Sequence, residues 1–327
     1  MRARSLNQAL VVITGASSGI GRAAAHAFAR EGARLVLASR DGEALQDVVR
    51  ECAARGGQAI AVPTDVTRSD AVEHLASRAA AYGDGRIDVW INNAGVGAVG
   101  GFEDTPLAAH EQIVQTDLLG YLRGAHVVLP YFKAQRAGVL INTLSVGSWV
   151  AQPYAVAYSA SKYGLRGFSE ALRGELGQWP DIHVCDVYPA VMDTPGFRDG
   201  GNFSGSALKP PPPRYDPRRV AAAMVGLALH PRPSKTVGST ATLLRLGHFL
   251  LPGFARLSGL LTGLALHHGK RADTSAGNLF QPPSGERRID GGWRAPCSTA
   301  TPLLLGTAAV LLLGWGLLHG VRSQARR

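Results

Sequence analysis

The chain has 327 residues, of which 46% are hydrophobic and 18% charged, a composition that excludes a disordered protein and one embedded throughout in a membrane. Its formal net charge of +10 is uneven, because residues 1–196 hold 17 Lys and Arg against 19 Asp and Glu, whereas residues 197–327 hold 17 against 5. The basic part indicates nucleic acid or an anionic membrane as a partner, and three distant cysteines without a CxxC pair predict neither disulfides nor a metal site.

The first predicted element is a buried parallel strand over residues 9–14. It leads into the sequence TGASSGIG and then into an alanine-rich helix that ends at Gly32. In a strand, turn and helix of this kind, glycines let the backbone approach a pyrophosphate and the start of the helix supplies amide donors. The turn is therefore predicted to bind a dinucleotide, with an ordinary strand-to-helix turn as the alternative. The residues expected to contact the dinucleotide are Gly15, Ser17, Ser18, Gly19, Ile20 and Gly21.

The second predicted strand, Arg34–Ser39, is followed directly by Arg40. A site specific for NAD usually places a carboxylate here to accept the 2′-hydroxyl of ribose, whereas a 2′-phosphate requires a basic group. Ser39 and Arg40 therefore favour NADP(H) over NAD(H). A solvated arginine at the start of a helix is the alternative interpretation of Arg40.

Strands and helices continue to alternate, with a helix over residues 42–55, a strand over 58–62, a helix over 69–82 and a strand over 87–91. This order predicts an α/β fold of the Rossmann type, a doubly wound parallel sheet flanked by helices. Ligands of such sheets bind at the carboxyl ends of the strands. Asn92, Ala94 and Gly95 follow the fourth strand and are expected at that edge.

A long helix is predicted over residues 107–135, opened by Pro106 and distorted by Pro130. The fifth strand, over residues 138–144, then delivers Ser145 to the same edge of the sheet. The helix after it runs to about residue 178, and a sixth strand follows over residues 183–188.

Tyr158 and Lys162 begin that helix at positions i and i+4, so that the ammonium can lie close to the phenol. A neighbouring positive charge favours the phenolate and brings the pKa of Tyr158 towards a value at which it exchanges a proton with an alcohol or ketone at neutral pH. Ser145 could hydrogen-bond the substrate oxygen. A surface helix that carries these residues by chance is the alternative for the motif alone.

With these residues in place, the sequence resembles the short-chain dehydrogenase/reductase family over roughly residues 9–238. Four motifs match in order and spacing: TGASSGIG at residues 14–21, NNAG at residues 92–95, Ser145, and YSASK at residues 158–162. The resemblance implies that Tyr158 is the general acid/base, that Lys162 lowers its pKa and holds the nicotinamide ribose, and that Ser145 orients the substrate carbonyl. Further cofactor contacts that it implies are Asp65, Val66, Asn92, Pro189 and Thr194. It also implies a homodimer or homotetramer.

The sequence departs from the family pattern at Asp117, where an asparagine commonly helps a water-linked proton relay to the lysine. If the backbone carbonyl carries the relay, little changes; if the side-chain amide matters, Asp117 could instead form an ion pair with Lys162 and change the pH dependence. The usual Pro-Gly after the sixth strand is Pro189-Ala190, which costs little unless that residue needs a positive φ.

The catalytic domain is predicted to span residues 1–240. Within it, the Gly- and Pro-rich residues 193–217 predict a mobile lid over the substrate, with a flexible connection as the alternative. A helix over residues 217–229 and a strand over 235–238 complete the sheet. Residues 241–269 are apolar but interrupted by Arg245, Pro252 and Arg256. They predict amphipathic helices that lie on a membrane, line the substrate entrance, or pack against the core or a second subunit.

Residues 270–297 are predicted as a linker, residues 298–321 as a transmembrane helix and residues 322–327 as a basic tail. The transmembrane prediction rests on a stretch without Asp, Glu, Lys or Arg that spans about 30 Å as a helix, the thickness of a bilayer core. This stretch favours membrane lipid over nucleic acid as the partner. Arginines flank it on both sides, so its orientation is not predicted.

Taken with the cysteine usage and an N-terminal apolar run too short for a signal peptide, these features predict a catalytic domain on the cytoplasmic side of a membrane. The expected function is NADP(H)-dependent hydride transfer to or from the carbonyl or alcohol carbon of a hydrophobic substrate of lipid, steroid or retinoid type. A non-catalytic NADP-binding scaffold or sensor at the membrane is the alternative, supported by Asp117 and by the missing Pro-Gly.

Overall fold

The structure is a computed structural model that describes residues 5–294. Its strands are β1 (Leu10–Thr14), β2 (Arg34–Ser39), β3 (Gln58–Pro63), β4 (Val89–Asn92), β5 (Ala98–Val99), β6 (Gly138–Thr143), β7 (Ile182–Pro189), β8 (Gly201–Asn202) and β9 (Ser234–Val237). Seven of them form one parallel sheet in the order β3-β2-β1-β4-β6-β7-β9, and β5 pairs with β8 outside it. The predicted doubly wound sheet of the Rossmann type is confirmed.

Ten α-helices are described. They are α1 (Gly19–Arg30), α2 (Gly42–Ala53), α3 (Ser69–Tyr82), α4 (Leu107–Val114), α5 (Gly120–Gln135), α6 (Val156–Glu175), α7 (Gly196–Asp199), α8 (Arg218–Leu229), α9 (Ser239–Leu250) and α10 (Phe254–His267). A π-helix at Gln115–Leu119 joins α4 to α5, so the long helix predicted over residues 107–135 contains one wide turn. Asp117 lies in that turn.

The sheet forms because its central strands are apolar on both faces. Every residue of β1 (LVVIT) and of β6 (GVLINT) is buried, the pattern of a parallel sheet covered by helices on both sides. On one side, Phe28 of α1 and Met224 of α8 pack against the strands. On the other, Trp90 of β4 packs with Phe132 of α5. Burial of each such side chain stabilises the fold by roughly 1.5–3 kcal/mol.

The order of the strands reverses between β1 and β4, and a crevice opens at their carboxyl ends. Thr14 ends β1 and bonds the loop after β4, because its hydroxyl accepts from the backbone N–H of Asn93 (2.9 Å) and of Ala94 (3.1 Å). Ser145, which follows β6, reaches the same edge. The topology therefore brings the predicted glycine turn and the predicted catalytic serine to one crevice.

The predicted lid is attached to the loop after β4. The backbone N–H of Gly201 donates to the carbonyl of Gly97 (2.9 Å), and that of Phe203 donates to the carbonyl of Val99 (2.7 Å). These bonds pair β8 with β5 and hold the middle of residues 193–217 over the crevice.

Helices α9 and α10 lie beside the crevice. A methyl group on Gly259 would lie 3.6 Å from Pro153 Cγ, and one on Gly263 would lie 2.6 Å from Tyr154 Oη, so α10 passes close to the loop before α6. Within residues 5–294, no helix is both long enough and apolar enough to cross a bilayer. The predicted transmembrane helix (298–321) and basic tail (322–327) lie outside the described residues.

Residues 270–294, most of the predicted linker, run along the carboxyl edge of the sheet; we call them the C-terminal strap. Its Leu279 is fully buried in a cluster with Ile113 and Ala157. At its other end, the carboxylate of Asp193 accepts the backbone N–H of Gly291, Trp293 and Arg294, at distances of 3.1, 2.9 and 3.2 Å. The strap is therefore packed onto the domain through hydrogen bonds to its backbone.

Candidate active site

One pocket of about 420 Å³ opens at the carboxyl edge of the sheet. The predicted site residues that line it are Gly15, Ser17, Ser18, Gly19, Ile20, Ser39, Arg40, Asp65, Val66, Ala94, Gly95, Asp117, Ser145, Tyr158, Lys162, Pro189 and Thr194. The structure thus brings together nearly all the residues singled out from the sequence, although they are spread over about 180 residues of chain. Gly21 and Asn92 are not among the lining residues.

The glycine turn is pressed against the loop after β4. A Cβ on Gly15, whose φ is +66°, would lie 2.8 Å from Ala94 Cα, and one on Gly21 would lie 2.1 Å from the carbonyl oxygen of Gly15. Gly21 therefore serves close packing within the turn. Helix α1 begins at Gly19, and Ser18, Gly19 and Ile20 line the pocket, so the positive end of the helix suits a pyrophosphate, while the N–H of Gly19 itself donates to the carbonyl of Arg288 at 2.9 Å. These residues fit a dinucleotide.

Asn92 lies inside the sheet, with 1% of its surface exposed. Its Oδ1 accepts from the Trp90 indole (2.8 Å), and its Nδ2 donates to Asn142 Oδ1 (3.0 Å) and to the carbonyl of Tyr121 (3.1 Å). It was predicted as a cofactor contact, but this network uses its amide to hold β4, β6 and α5 together. The neighbouring Asn93 lines the pocket instead.

Ser145 and Tyr158 face each other across Gly147. The Ser145 hydroxyl accepts the backbone N–H of Gly147 at 3.0 Å, which fixes its direction at the end of β6. A methyl group on Gly147 would lie 3.3 Å from both Ser145 Oγ and Tyr158 Cε1. The hydroxyl and the phenol ring therefore both lie close to Gly147, in the pocket that both residues line, where they can address a single substrate oxygen.

Lys162 is buried below Tyr158. Its ammonium donates to the carbonyl of Thr143 (3.3 Å) and lies 5.6 Å from the centroid of the Tyr158 ring. Burial alone would lower the pKa of Lys162, but attraction to Tyr121, Asp117 and Tyr158 outweighs it, and the pKa is raised above its ordinary value. The ammonium therefore stays charged beside the phenol.

Asp117 forms the predicted ion pair with Lys162, with Oδ2 at 3.4 Å from Nζ. Its other oxygen, Oδ1, accepts the backbone N–H of Val96 at 2.8 Å. The carboxylate is completely buried, and burial raises its pKa against the opposing attraction of Lys162. The wide turn at Gln115–Leu119 carries this side chain at the floor of the pocket. Ala190, the other departure from the family pattern, does not adopt a positive φ.

Tyr121 completes the surroundings of Lys162 and was not predicted. Its ring lies 4.9 Å from the ammonium, and its hydroxyl donates to the same Thr143 carbonyl at 3.1 Å. Burial raises the pKa of Tyr121 to about 12, so this phenol stays protonated and does not compete with Tyr158. Its position four residues after Asp117 was the only signal in the sequence.

Arg40 lies at the far end of the pocket and is bonded to the strap. Its guanidinium donates to the carbonyls of Asn278 (2.6 Å) and Leu279 (3.0 Å). Burial lowers the pKa of Arg40, and the charge of Asp65 opposes this. Within the described residues, no group of three or more His, Cys, Asp or Glu side chains could hold a metal ion.

Comparison with known proteins identifies the architecture. Residues 9–201, more than half of the chain, match the family described as short chain dehydrogenase. The chain belongs to the short-chain dehydrogenase family. The prediction of an oxidoreductase acting on CH–OH or C=O groups is confirmed, and the interpretation as a non-catalytic scaffold is not favoured.

Relatives and solved structures agree with this assignment. An uncharacterized oxidoreductase of Bacillus subtilis, YxnA, is 29% identical over 96% of this chain and 92% of its own length, a match that reaches well beyond residue 201. Dehydrogenase/reductase SDR family member 7 of Homo sapiens is 32% identical over 58% of this chain and 57% of its own length. A short-chain dehydrogenase/reductase from Burkholderia phymatum in complex with NAD superposes with a TM-score of 0.67 and 26% identity, covering 75% of this chain and 95% of that one. A metagenomic short-chain oxidoreductase in complex with NADP superposes with a TM-score of 0.60 and 30% identity, covering 72% of this chain and 98% of that one.

Proposed function

We propose that this dehydrogenase is a membrane-attached, NADP(H)-dependent oxidoreductase that interconverts a hydrophobic ketone or aldehyde with its alcohol. The observation that carries the proposal is the convergence of Ser145, Tyr158 and Lys162 on the pocket that also holds the glycine turn. A bound nicotinamide supplies or accepts the hydride. Tyr158 moves the proton to or from the substrate oxygen, Ser145 orients that oxygen, and Lys162 keeps a positive charge beside the phenol.

The cofactor preference rests on the end of β2. Ser39 and Arg40 line the pocket there, and a guanidinium suits a 2′-phosphate better than a ribose hydroxyl. The related structures include complexes with NAD, with 5-hydroxy-NADP and with NADP, which supports a nicotinamide dinucleotide as the cofactor. Arg40 is the residue that favours the phosphorylated form.

The hydrophobic character of the substrate is inferred from the wall near Ser145. The apolar residues that line the pocket include Leu144 and Val146, on either side of Ser145, and Val191, Met192, Phe197 and Leu208, which follow β7. A pocket lined in this way favours an apolar substrate body, with the few polar groups reserved for the reacting oxygen.

Attachment to the membrane is supported by the sequence of residues 298–321 and by the apolar helices α9 and α10 beside the pocket. A catalytic domain on the cytoplasmic side gives the site access to the dinucleotide pool of the cell. Dimers or tetramers are compatible with this arrangement.

The test of the catalytic proposal is NADPH consumption with a panel of lipophilic carbonyl compounds: a long-chain alkanone, an aryl ketone and a steroid ketone. Tyr158→Phe should lower turnover at least about 100-fold, since it removes the proton donor. NADPH binding, followed by fluorescence titration, should change little, because the phenyl ring remains in place.

Tyr163→Phe is the matched control. Tyr163 lies on the same helix, but its hydroxyl donates to the carbonyl of Trp149 (2.6 Å) outside the pocket. This variant should retain turnover. Full activity of Tyr158→Phe would contradict the mechanism, and no NADPH consumption by the wild type with any lipophilic carbonyl would contradict the proposed substrate class.

A further inference from the structure

The C-terminal strap places a second arginine beside Arg40. Arg287 lines the pocket together with Ser39, Arg40 and Asp41. Its side chain is 12% exposed and pairs with Asp41, with Nε and a terminal nitrogen at 2.9 and 2.7 Å from Oδ2. The strap thus adds a cation to the end of the pocket where β2 stops.

The backbone of the strap fixes this position. The carbonyl of Arg287 accepts from the guanidinium of Arg22, and the carbonyl of Arg288 accepts the N–H of Gly19 at 2.9 Å. Both partners belong to α1, the helix whose first turn faces the pocket. Arg287 is therefore held at the carboxyl edge of the sheet, beside the start of α1, by two backbone contacts that do not involve its own side chain.

The charges at this end of the pocket explain why a second cation matters. Arg40 is accompanied by two carboxylates, Asp41 and Asp65, both of which line the pocket. A phosphate group carries nearly two negative charges at neutral pH. With Arg40 alone, one cation would face two carboxylates, and a carboxylate at this edge favours the free 2′-hydroxyl of NAD(H). Arg287 supplies a second positive charge at this end of the pocket, because its guanidinium binds Oδ2 of Asp41 and neutralises that carboxylate.

Asp41 itself is retained for a structural reason. Its Oδ1 accepts the backbone N–H of Ala44 at 3.0 Å and caps the start of α2. The capping oxygen and the oxygen bound by Arg287 are different atoms, so the two roles can be separated by substitution.

We propose that Arg287 is a specificity-determining residue: it neutralises Asp41 and, together with Arg40, forms the seat of the 2′-phosphate of NADP(H). The inference rests on the NADP(H) preference proposed above and extends it to a residue outside the parallel sheet. The C-terminal strap is then a wall of the cofactor site.

The experiment compares Arg287→Ala with Arg288→Ala in the full chain. The two residues are adjacent and carry the same charge, but the side chain of Arg288 is 62% exposed and pairs with Glu286. Affinities for NADPH, NADH and 2′,5′-ADP are measured by equilibrium titration. Arg287→Ala should weaken binding of NADPH and 2′,5′-ADP about tenfold or more, because it leaves the carboxylate of Asp41 unneutralised beside the 2′-phosphate, with little change for NADH. Arg288→Ala should stay within about twofold of the wild type, as expected for an exposed charge.

A rescue variant separates charge from a structural effect. Asp41→Asn removes the carboxylate, while asparagine still caps a helix. Introduced into Arg287→Ala, it should restore most of the NADPH affinity, because the charge that Arg287 neutralises is gone. If Arg287 only held the strap in place, the double variant would bind NADPH as weakly as Arg287→Ala, and this result would overturn the proposal.

The remaining outcomes distinguish this inference from the proposed function. If the wild type binds NADPH no more tightly than NADH, the proposed preference for NADP(H) is itself refuted. If the wild type prefers NADPH but Arg287→Ala and Arg288→Ala bind NADPH equally well, the proposed cofactor preference stands and only the role of Arg287 is refuted.

Discussion

The buried pair of Asp117 and Lys162 is the feature that most distinguishes this site at the scale of single residues. The two charged groups lie 3.4 Å apart, and the carboxylate is completely inaccessible to solvent. In such surroundings a unit charge a few ångströms away is worth several kcal/mol at an effective dielectric constant of about 20. Asp117 therefore reduces the positive field that Lys162 exerts at Tyr158.

Asp117→Asn should strengthen that field. The substitution lowers the pKa of Lys162, because it removes one of the groups that raise it, but the starting value is so high that the ammonium persists at neutral pH. The positive field of Lys162 at the phenol of Tyr158 is then no longer opposed by a carboxylate. We expect the acidic limb of kcat/KM for alcohol oxidation to move to lower pH by about one unit, equivalent to about 1.4 kcal/mol.

The measurement is the pH profile of oxidation of the alcohol whose ketone is reduced fastest in the panel. Asp70→Asn is the control, because Asp70 carries the same charge on the exposed start of α3, with 68% of its side chain exposed. A well-folded Asp117→Asn with an unchanged profile, or with a limb moved to higher pH, would show that the ion pair does not tune the acid/base.

The sequence predicted the reacting residues better than the residues that position them. Ser145, Tyr158 and Lys162 were found because short motifs fix their spacing, and Asp117 was found as a departure from such a motif. Asn92 and Asn93 are adjacent in the motif, and only the packing of Trp90 and Asn142 decides which of the two amides is turned inward. Arg287 lies in a polar segment without a motif, so its contact with Asp41 could not be inferred.

At the scale of elements, strands β1–β4, β6 and β7 were predictable because each is a short, largely apolar run bounded by turn residues, whereas the two-residue strands β5 and β8 were not predicted. The π-helix at Gln115–Leu119 was not, since a single wide turn has no composition of its own. The strap was interpreted as a linker for a similar reason. Its glycines, prolines and charges lack apolar periodicity, and it is attached mainly through backbone groups, as at Gly19 and Asp193.

A cluster of charged residues links α1 and α2 beneath the strap. Glu51 of α2 accepts from Arg22 Nε at 3.0 Å and lies 2.6 Å from His26 Nε2. The hydrogen bond from Arg22 is the main interaction that lowers the pKa of Glu51 below 4.5, and burial lowers the pKa of His26 below 6.5. The folded state therefore binds fewer protons than the unfolded chain, so stability is present above these values and is lost as the pH falls.

Glu51→Gln should lower the free energy of unfolding by about 1 kcal/mol at neutral pH, the size of a partly exposed ion pair. The difference from the wild type should shrink as the pH falls below 4.5, because Glu51 of the unfolded chain then takes up a proton and Glu51 of the folded chain follows at its lower pKa. Urea unfolding at about pH 7 and about pH 4 measures both values.

Glu73→Gln, on the exposed face of α3, is the control and should leave both unfolding curves unchanged. If Glu51→Gln lowers the free energy of unfolding by the same amount at both pH values, packing of the side chain, and not its charge, accounts for the loss of stability.

At the scale of the whole molecule, apolar surface is concentrated on one side. Of the fourteen exposed large apolar side chains among residues 5–294, nine lie between Leu243 and Leu264, on α9, α10 and the turn between them. No Asp or Glu occurs between residues 217 and 272. A surface that is both apolar and free of negative charge suits an anionic lipid interface.

The same helices are fastened to the substrate side of the domain. The indole of Trp149 is held between two guanidinium groups, Arg166 of α6 at 3.6 Å and Arg245 of α9 at 3.5 Å from the ring centroid. This contact ties α9 to the helix that carries Tyr158. If α9 and α10 lie on a bilayer, the pocket mouth is placed next to the lipid, and an apolar substrate can enter without crossing water.

Phe249 and Leu250 offer a direct test of this arrangement, since their side chains are 85% and 60% exposed. The double substitution Phe249→Asp and Leu250→Asp in the full chain should raise KM for a long-chain alkanone carried in anionic lipid vesicles about tenfold or more, because two apolar side chains lose a burial worth roughly 1.5–3 kcal/mol each. KM for a short, water-soluble ketone should not change. Leu107→Asp, which alters a residue of 68% exposure at the start of α4, should leave both constants as in the wild type. Equal effects of the two substitutions, or a rise in KM for both ketones, would show that α9 and α10 do not deliver substrate from the lipid.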